Sequence, residues 1–271
     1  MATVRAVFVL AGLILVSLAI IPTQWVILKL GLSEKPYLPR LWHKSVCWLI
    51  GVRVHQHGEM ASERPLLIAA NHCSWLDISA LGSTNLLYFI AKSEVNEWPI
   101  FGFFSRLQRT IFVNRKRKTD IGRVAKEVAH RMADGEAMVL FAEGTSSNGN
   151  EVLPFRSALI GAAHQAMHVG EEETAYVQPL SIAYTRLHGM PMGHFWRAHV
   201  AWYGDMELVG HLWAIMKEGG LDVELTWGTP VPIEKATNRK VLTRDLQEQV
   251  RVMTLAALHP SPPKPKEQVE S

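Results

Sequence analysis

The sequence predicts an α/β protein with a mainly parallel central sheet flanked by helices, preceded by an N-terminal membrane-anchoring helical segment. Short apolar runs typical of buried strands alternate with amphipathic stretches typical of helices. A long charge-free run opens the chain, and 271 residues with 48% apolar content suffice for a folded core. We expect a hydrophobic anchor and amphipathic helical segment over residues 1–50, an α/β domain over 51–258 and a disordered tail over 259–271.

The N-terminal run over residues 6–28 is uncharged and lies between Arg5 and Lys29. It has about the 20 apolar residues that cross a bilayer core. Ser17 and Ala19 resemble a cleavage site, but the apolar run continues beyond them, which argues against a signal peptide. We favour a membrane anchor, spanning or half-inserted, over a signal peptide or a buried core helix.

The next stretch, "RLWHKSVCWLIGVRV" from Arg40, has Trp and Leu at helical spacing with basic residues between them. Two interpretations remain open for it: a helix lying in the lipid headgroup layer, or an amphipathic helix packed on the domain.

The remaining elements follow from hydrophobic period and turn residues. We predict strands at residues 66–70, 87–92, 110–115 and 176–184, a strand "AMVLFAEG" from Ala137 and a last strand from Asp222. We predict helices over "GRVAKEVAHRMADG", "SALIGAAHQAM" and the segment from Asn238 to Leu258. Since strands separated by helices form parallel sheets, catalytic residues are expected at strand ends.

The stretch "NHCSWLD", residues 71–77, directly follows the first of these strands. If a helix begins at "SWLDIS", the five-residue spacing returns Asp77 beneath the His72 ring. A carboxylate on one ring nitrogen fixes the tautomer and leaves the other nitrogen as a general base. Alone, this spacing is a weak signal, because Asn71 or Asp77 capping a helix, with His72 merely nearby, is the more common arrangement.

Three further blocks follow strand patterns in order. "FVNR" ends in Arg115, "FAEGT" contains Glu143, Gly144 and Thr145, and "VQPLSIAY" places a proline inside a strand. Each is ordinary separately; in this order and spacing they are specific.

The four blocks, from about Leu66 to Tyr184, resemble the glycerolipid acyltransferase family, which includes the bacterial 1-acylglycerol-3-phosphate acyltransferases. The resemblance implies His72 as catalytic base and Asp77 as its partner. It also implies an acceptor site that involves Arg115, Glu143, Gly144 and Thr145.

The implied reaction is direct transfer of an acyl chain to a lysolipid hydroxyl, with acyl carrier protein or coenzyme A as thioester co-substrate and with no metal or other cofactor. His72 takes the hydroxyl proton as the oxygen attacks the thioester carbonyl. Cys73 suggests a rival scheme through an acyl-enzyme thioester, which we rank lower because the family pattern carries its chemistry on His72 and Asp77.

One departure from the family pattern concerns the acceptor. Phosphate-acceptor members usually carry arginine after "EGT", whereas Ser146 stands here. The longer string "EGTSSNGNEVLPFRSALIGAA" at residues 143–163, and "WYGDM" at residues 202–206, resemble the bacterial branch that acylates lyso-ornithine lipid, whose headgroup has a carboxylate and an amine. We therefore expect lyso-ornithine lipid as acceptor, with lysophosphatidic acid a close second.

The composition indicates the class of binding partner and the cellular compartment. The net charge of +3 and the "RKRK" cluster at residues 115–118 fit an anionic membrane surface better than nucleic acid. Two cysteines, Cys47 and Cys73, provide no disulfide framework and favour a reducing compartment. We expect the cytoplasmic face of the inner membrane, with attachment through residues 6–28.

Two rivals from other classes remain. One is a membrane-anchored lipid-binding protein without activity, which the presence of both His72 and Asp77 disfavours. The other is a lipid or thioester hydrolase, whose Gly-x-Ser-x-Gly nucleophile motif the sequence lacks. The sequence does not fix the oligomeric state. His188, His194, His199 and His211 lack the spacing of metal ligands and are expected to be structural.

Overall fold

The computed structural model of the chain describes residues 1–32, 35–114, 117–170 and 172–259. Of the predicted tail, residues 260–271 lie outside the described residues. The strands are β1 (Val52–His57), β2 (Leu66–Ala70), β3 (Tyr88–Lys92), β4 (Ile111–Val113), β5 (Met138–Phe141), β6 (Ala175–Leu187), β7 (Met190–Pro191), β8 (Leu221–Trp227) and β9 (Val231–Ile233). The helices are α1 (Ala2–Lys29), α2 (Tyr37–Ile50), α3 (Leu76–Gly82), α4 (Ser93–Asn96), α5 (Phe101–Leu107), α6 (Lys118–Ala133), α7 (Ser157–Ile160), α8 (Ala162–Val169), α9 (His194–Val200), α10 (Leu208–Glu218) and α11 (Arg239–Leu258).

All nine strands form one sheet, in which seven follow the order β1-β8-β6-β2-β5-β3-β4, while β7 and β9 pair with β6. Five of the strand pairs are parallel, and the three antiparallel pairs all involve β6. The prediction of a mainly parallel α/β sheet is therefore confirmed. The central strand β2 is completely buried, as its unbroken apolar run "LLIAA" predicts.

The sheet separates two apolar cores. On one face, side chains of β2, β6 and β8 pack with those of α1, α2 and α3. On the other, side chains of β2, β5 and β6 pack with those of α6, α8 and α11. Because β2 and β5 are parallel neighbours, the loops that follow them emerge at the same edge of the sheet.

Glycines divide two segments that the sequence suggested were continuous helices. The helix predicted around Arg40 ends at Ile50, because Gly51 adopts a left-handed conformation (φ 82°) and β1 begins at Val52. The segment from Ser157 is likewise two short helices that meet at Gly161.

Helix α2 buries Val46, Cys47 and Ile50 in the domain while Trp48 remains 79% exposed. The packed interpretation therefore describes one face of α2, and the exposed Trp48 leaves the opposite face available to a headgroup layer.

Helix α1 is the one helix among the described residues that is long and apolar enough to cross a membrane. It nevertheless packs on the domain near both of its ends. Arg5 donates to the carbonyls of Ile50 and Met216, and the buried Gln24 side chain donates to the carbonyl of Leu107. On its other side, large apolar side chains remain exposed, among them Val4, Val7, Phe8, Leu15 and Val26.

Arg5 and Gln24 are 19 positions apart, which at 1.5 Å per residue is roughly 28 Å along the helix axis. A helix that the domain holds at both ends of that distance lies along the surface of the domain. With its exposed apolar face, α1 then resembles an interfacial helix that dips into one leaflet.

We expect both ends of α1 to lie on the same side of the membrane. A single cysteine at Ala2 or at Leu32, both exposed, should react identically with a membrane-impermeant maleimide applied to sealed vesicles. The wild-type chain is the control, since Cys47 and Cys73 are buried. Labelling of one end and protection of the other would show that α1 crosses the bilayer.

Candidate active site

The turn after β2 brings His72 and Asp77 together, as their spacing predicts. His72 Nδ1 lies 2.7 Å from Asp77 Oδ2, and the same oxygen accepts from the backbone N–H groups of Cys73 (2.8 Å) and Ser74 (3.0 Å). Asp77 lies in the first turn of α3 and is completely buried. Three donors on one carboxylate oxygen fix the direction in which it meets the imidazole.

The imidazole of His72 is held from a second direction by an aromatic ring. Its centroid lies 4.1 Å from that of Phe141, the last residue of β5, with the two planes 20° apart. The His72 side chain is 18% exposed. With Nδ1 donating to the carboxylate, Nε2 keeps its lone pair for a partner in the adjoining cavity.

Neighbouring segments fix the turn itself. The Asn71 amide continues the β2–β6 ladder by exchanging two hydrogen bonds with the backbone of Ile182 (2.8 and 2.9 Å). Ser74 Oγ donates to the carbonyl of Val200, and the N–H of Trp202 donates to the carbonyl of Cys73. These contacts pre-organise the His72–Asp77 pair on a rigid frame.

The loop after β5 lies against this turn. Gly144 has a positive φ of 75°, and the N–H of Ser147 donates to the carbonyl of His72 at 2.8 Å. Gly144 and Thr145, together with Ser146, line the same cavity as His72. Two of the expected acceptor residues therefore lie at one cavity wall with the imidazole.

Glu143 has a different setting. It is 2% exposed, its Oε1 accepts from the N–H of Leu153 at 3.1 Å, and its Oε2 has no hydrogen-bond partner among the described residues. Burial is the main cause that raises its pKa to about 9. The side chain is therefore a neutral acid at pH 7, and it lies beneath the loop that Gly144 begins.

Arg115, the remaining expected acceptor residue, lies outside the described residues, as does Lys116 of the "RKRK" cluster. The strand before it, β4, is three positions from β2 in the sheet. At about 4.8 Å per strand, its end lies roughly 14 Å from that of β2.

The cavity beside His72 has a volume of about 840 Å³. Apolar side chains form most of its wall. They come from α1 (Leu10, Leu13, Ile14, Leu18, Ile21), from α2 and α3 (Trp42, Val46, Ile50, Ile78), from β3 and the segment after it (Phe89, Ile90, Trp98, Phe101, Phe104), and from Trp202 and α10 (Leu208, Leu212, Met216). The site is therefore a polar dyad at the wall of an apolar chamber.

Part of this chamber was missed by the sequence analysis. The apolar residues of α1 predicted a membrane anchor, and nothing in their pattern indicated that they line a cavity. Trp202 is the first residue of the quoted "WYGDM" string, but its contact with Cys73 depends on tertiary structure.

His188, His194, His199 and His211 were expected to be structural. His211 accepts from the indole of Trp75 and donates to the carbonyl of His199, which anchors the turn from the side of α10. In the part of the chain that the structure describes, no cluster of three or more His, Cys, Asp or Glu side chains is arranged to hold a metal.

Comparisons with a protein-family model and with known proteins all match this chain to acyltransferases. The model of the Acyltransferase family matches residues 51–183. A lyso-ornithine lipid O-acyltransferase of Brucella abortus (strain 2308) is 46% identical over 256 residues, which cover 94% of this chain and 96% of that protein. A 1-acyl-sn-glycerol-3-phosphate acyltransferase of Neisseria gonorrhoeae is 30% identical over 75% of this chain and 74% of its own length.

The crystal structure of the 1-acyl-sn-glycerophosphate acyltransferase of Thermotoga maritima has the same fold, with a TM-score of 0.60 at 20% identity, over 94% of this chain and 97% of that one. The relatives confirm the family that the four sequence blocks predict, and with it an enzymatic rather than a purely lipid-binding protein. The chain belongs to the glycerolipid acyltransferase family and is an acyltransferase.

Proposed function

We propose that this enzyme transfers an acyl chain from an acyl thioester, carried on acyl carrier protein or coenzyme A, to the hydroxyl of lyso-ornithine lipid, forming ornithine lipid. The observation that carries the acyl-transfer chemistry is the His72–Asp77 pair at the wall of the 840 Å³ cavity. The choice of acceptor rests on the similarity to the Brucella abortus enzyme and on Ser146.

In this proposal His72 acts as the general base. Its Nε2 accepts the proton of the acceptor hydroxyl while the oxygen attacks the thioester carbonyl carbon. Asp77 stabilises the imidazolium that forms and holds the ring in its tautomer. Collapse of the tetrahedral intermediate breaks the carbon–sulfur bond, and the imidazolium returns the proton to the leaving thiolate. The products are an ester and a free thiol.

The cavity supplies an apolar environment for an acyl chain, and its volume falls within the range of roughly 300–1,000 Å³ of ligand pockets. The N–H groups of Thr145 and Ser146, two residues that line the cavity, have no hydrogen-bond partner among the described residues. We propose that they stabilise the negative charge that develops on the carbonyl oxygen.

Cys73 is poorly suited to the rival acyl-enzyme scheme. Its side chain is 2% exposed, and its Sγ faces the Asp77 carboxylate at 3.8 Å. Burial, followed by the charge of Asp77, raises the pKa of the thiol well above its usual value. A thiol that stays protonated is a weak nucleophile, which favours direct transfer.

Lysophosphatidic acid is the second candidate acceptor, because the chain is 30% identical to the Neisseria gonorrhoeae enzyme of that type. A phosphomonoester carries more negative charge than the carboxylate of an ornithine headgroup. Ser146 contributes no positive charge to the cavity wall where phosphate-acceptor members usually carry arginine. We propose that this difference directs the enzyme to the aminolipid.

We further propose that the enzyme lies on the cytoplasmic face of the inner membrane and is attached through residues 6–28. The exposed apolar face of α1 fits one leaflet, and either thioester donor is a cytoplasmic compound. Both cysteines are buried and free, which agrees with a reducing compartment.

Glu143 is proposed to serve the acceptor site indirectly. As a neutral acid under the loop, it binds the N–H of Leu153 and so helps to fix Gly144 and Thr145 at the cavity wall.

His72→Ala should reduce transfer at least about 100-fold, because it removes the proposed base. Asp77→Asn should cause a loss of similar order. Cys73→Ala should keep most of the activity, and this variant is the matched control, since it alters the same turn. The assay is transfer from a labelled acyl carrier protein thioester in membranes. An active His72→Ala enzyme, or an acyl group trapped on Cys73, would overturn the mechanism.

Wild-type enzyme offered lyso-ornithine lipid and lysophosphatidic acid in parallel should label ornithine lipid preferentially. Ser146→Arg should shift the ratio of the two products toward phosphatidic acid by roughly tenfold, because a guanidinium pairs bidentately with phosphate. Ser146→Gln lengthens the side chain without adding charge and should leave the preference nearly unchanged. Wild-type labelling of phosphatidic acid alone would reverse the acceptor assignment.

Glu143→Gln should stabilise the protein relative to the wild type at pH values above the usual pKa of a glutamic acid, near 4.5. The folded-state pKa of about 9 exceeds the unfolded value near 4.5, so the wild type loses stability as the pH rises between these two values. At pH 7 the difference between variant and wild type is on the order of 3 kcal/mol. Thermal unfolding at several pH values measures it. A constant difference from pH 5 to pH 9 would show that Glu143 is ionised in the folded protein.

A further inference from the structure

Tyr184 lies on β6, 107 positions after Asp77, and its phenol O–H donates to Asp77 Oδ1 at 2.9 Å. The side chain is 3% exposed. The pairing of β6 with β8 shifts register between Tyr184 and Arg186, an irregularity of the kind that redirects side chains next to active sites. Tyr184 belongs to the same core face as Leu180 and Ile182, which is the face that carries α3.

The two oxygens of Asp77 have different tasks. Oδ2 accepts from His72 and from two backbone N–H groups of the turn. Oδ1 lies near the Cys73 thiol, a weak donor at 3.8 Å, and accepts its short hydrogen bond from Tyr184. A buried carboxylate without water needs donors on both oxygens to remain ionised. The phenol is the strong donor to Oδ1.

We propose that Tyr184 is a positioning residue of the reaction: its hydrogen bond to Oδ1 fixes the rotation of the Asp77 carboxylate and limits its basicity, so that Oδ2 orients His72 and the proton stays on the imidazole. This inference rests on the proposed function, because it assigns Tyr184 a part in the same proton transfer. Tyr184 is not among the residues that line the cavity beside His72, and it acts through Asp77.

The titratable groups that face Asp77 are few. Among the described residues they are His72 and Cys73 from the turn, Glu143 from the loop after β5 and Tyr184 from β6; Cys47 from α2 faces Tyr184. Burial raises the pKa of the Tyr184 phenol well above its usual value, and it raises that of Cys47 to about 12. With the pKa of Glu143 raised to about 9, none of the three groups Tyr184, Cys47 and Glu143 changes its charge near neutral pH.

Tyr184→Phe removes one O–H and keeps the ring. The ionised Asp77 then loses a donor and holds a proton on the His72–Asp77 pair more strongly. The acid limb of the kcat/KM profile should move to higher pH by roughly 0.5–1 unit. The value of kcat should fall roughly tenfold, while the KM for the lysolipid stays within about a factor of two.

Ser181→Ala is the matched control. Ser181 lies on the same strand, is completely buried and shares its hydroxyl with Thr254 at 2.7 Å, away from Asp77. Its loss removes an equally buried hydroxyl and should leave the acid limb in place. If both variants lower the rate without moving that limb, Tyr184 serves stability alone and the proposal is wrong.

A second variant keeps both the ring and the hydroxyl, so misfolding is not a concern. It should shift the acid limb in the opposite direction. Replacing Tyr184 with 3-fluorotyrosine keeps the ring and the O–H but makes the phenol a stronger donor. The acid limb should then move to lower pH. A shift to higher pH, or none, would contradict the role assigned to the hydrogen bond.

The NMR titration of the His72 ring in the detergent-solubilised full chain, identified with a His72→Asn sample, tests the same shift without turnover. If the wild type transfers no acyl chain to any lysolipid, the proposed function fails. The His72 titration of the Tyr184→Phe protein still decides whether Tyr184 tunes the dyad.

Discussion

The buried carboxylate of Asp77 is the group on which the arrangement of the site depends. A charge taken out of water must be compensated locally, and here the compensation comes from the imidazole of His72, two N–H groups of the turn and the phenol of Tyr184. These donors come from two segments, the turn after β2 and strand β6, which meet only if β2 and β6 are neighbours in the sheet. The electrostatic requirement of one side chain thus links local turn geometry to global strand order.

The second constraint is the apolar chamber, which the catalytic domain does not enclose alone. Strand ends supply the dyad and the loop of Gly144, whereas α1, α2 and α10 supply apolar walls. The contacts of Arg5 and Gln24 therefore do more than hold an anchor in place. They position one side of the substrate chamber, so the boundary drawn at residue 50 separates elements of the sequence that share one site.

The sequence predicted the features that local patterns encode. Fully apolar runs predicted β2 and β5, and the spacing of His72 and Asp77 predicted their contact, because a helix turn sets both positions. Non-local features were missed. Pro179 lies within the central strand β6, where the antiparallel partner changes from β9 to β8 and a missing N–H is tolerated. Neither this change of partner nor the contact of Tyr184 with Asp77 produces a hydrophobic periodicity in the sequence. Burial of Glu143 was hidden because its block reads as an ordinary loop.

The position of α1 has a consequence for how the reaction should be described. One face of this helix is exposed and apolar, and the other lines the chamber beside His72 and Asp77. With α1 in one leaflet, as we propose, an amphiphile in that leaflet reaches the imidazole by lateral diffusion, without passing through bulk solvent. The concentration that governs turnover is then two-dimensional: the mole fraction of lysolipid in the surface. Diluting the membrane with inert lipid should slow the enzyme even when the total amount of substrate per volume is constant.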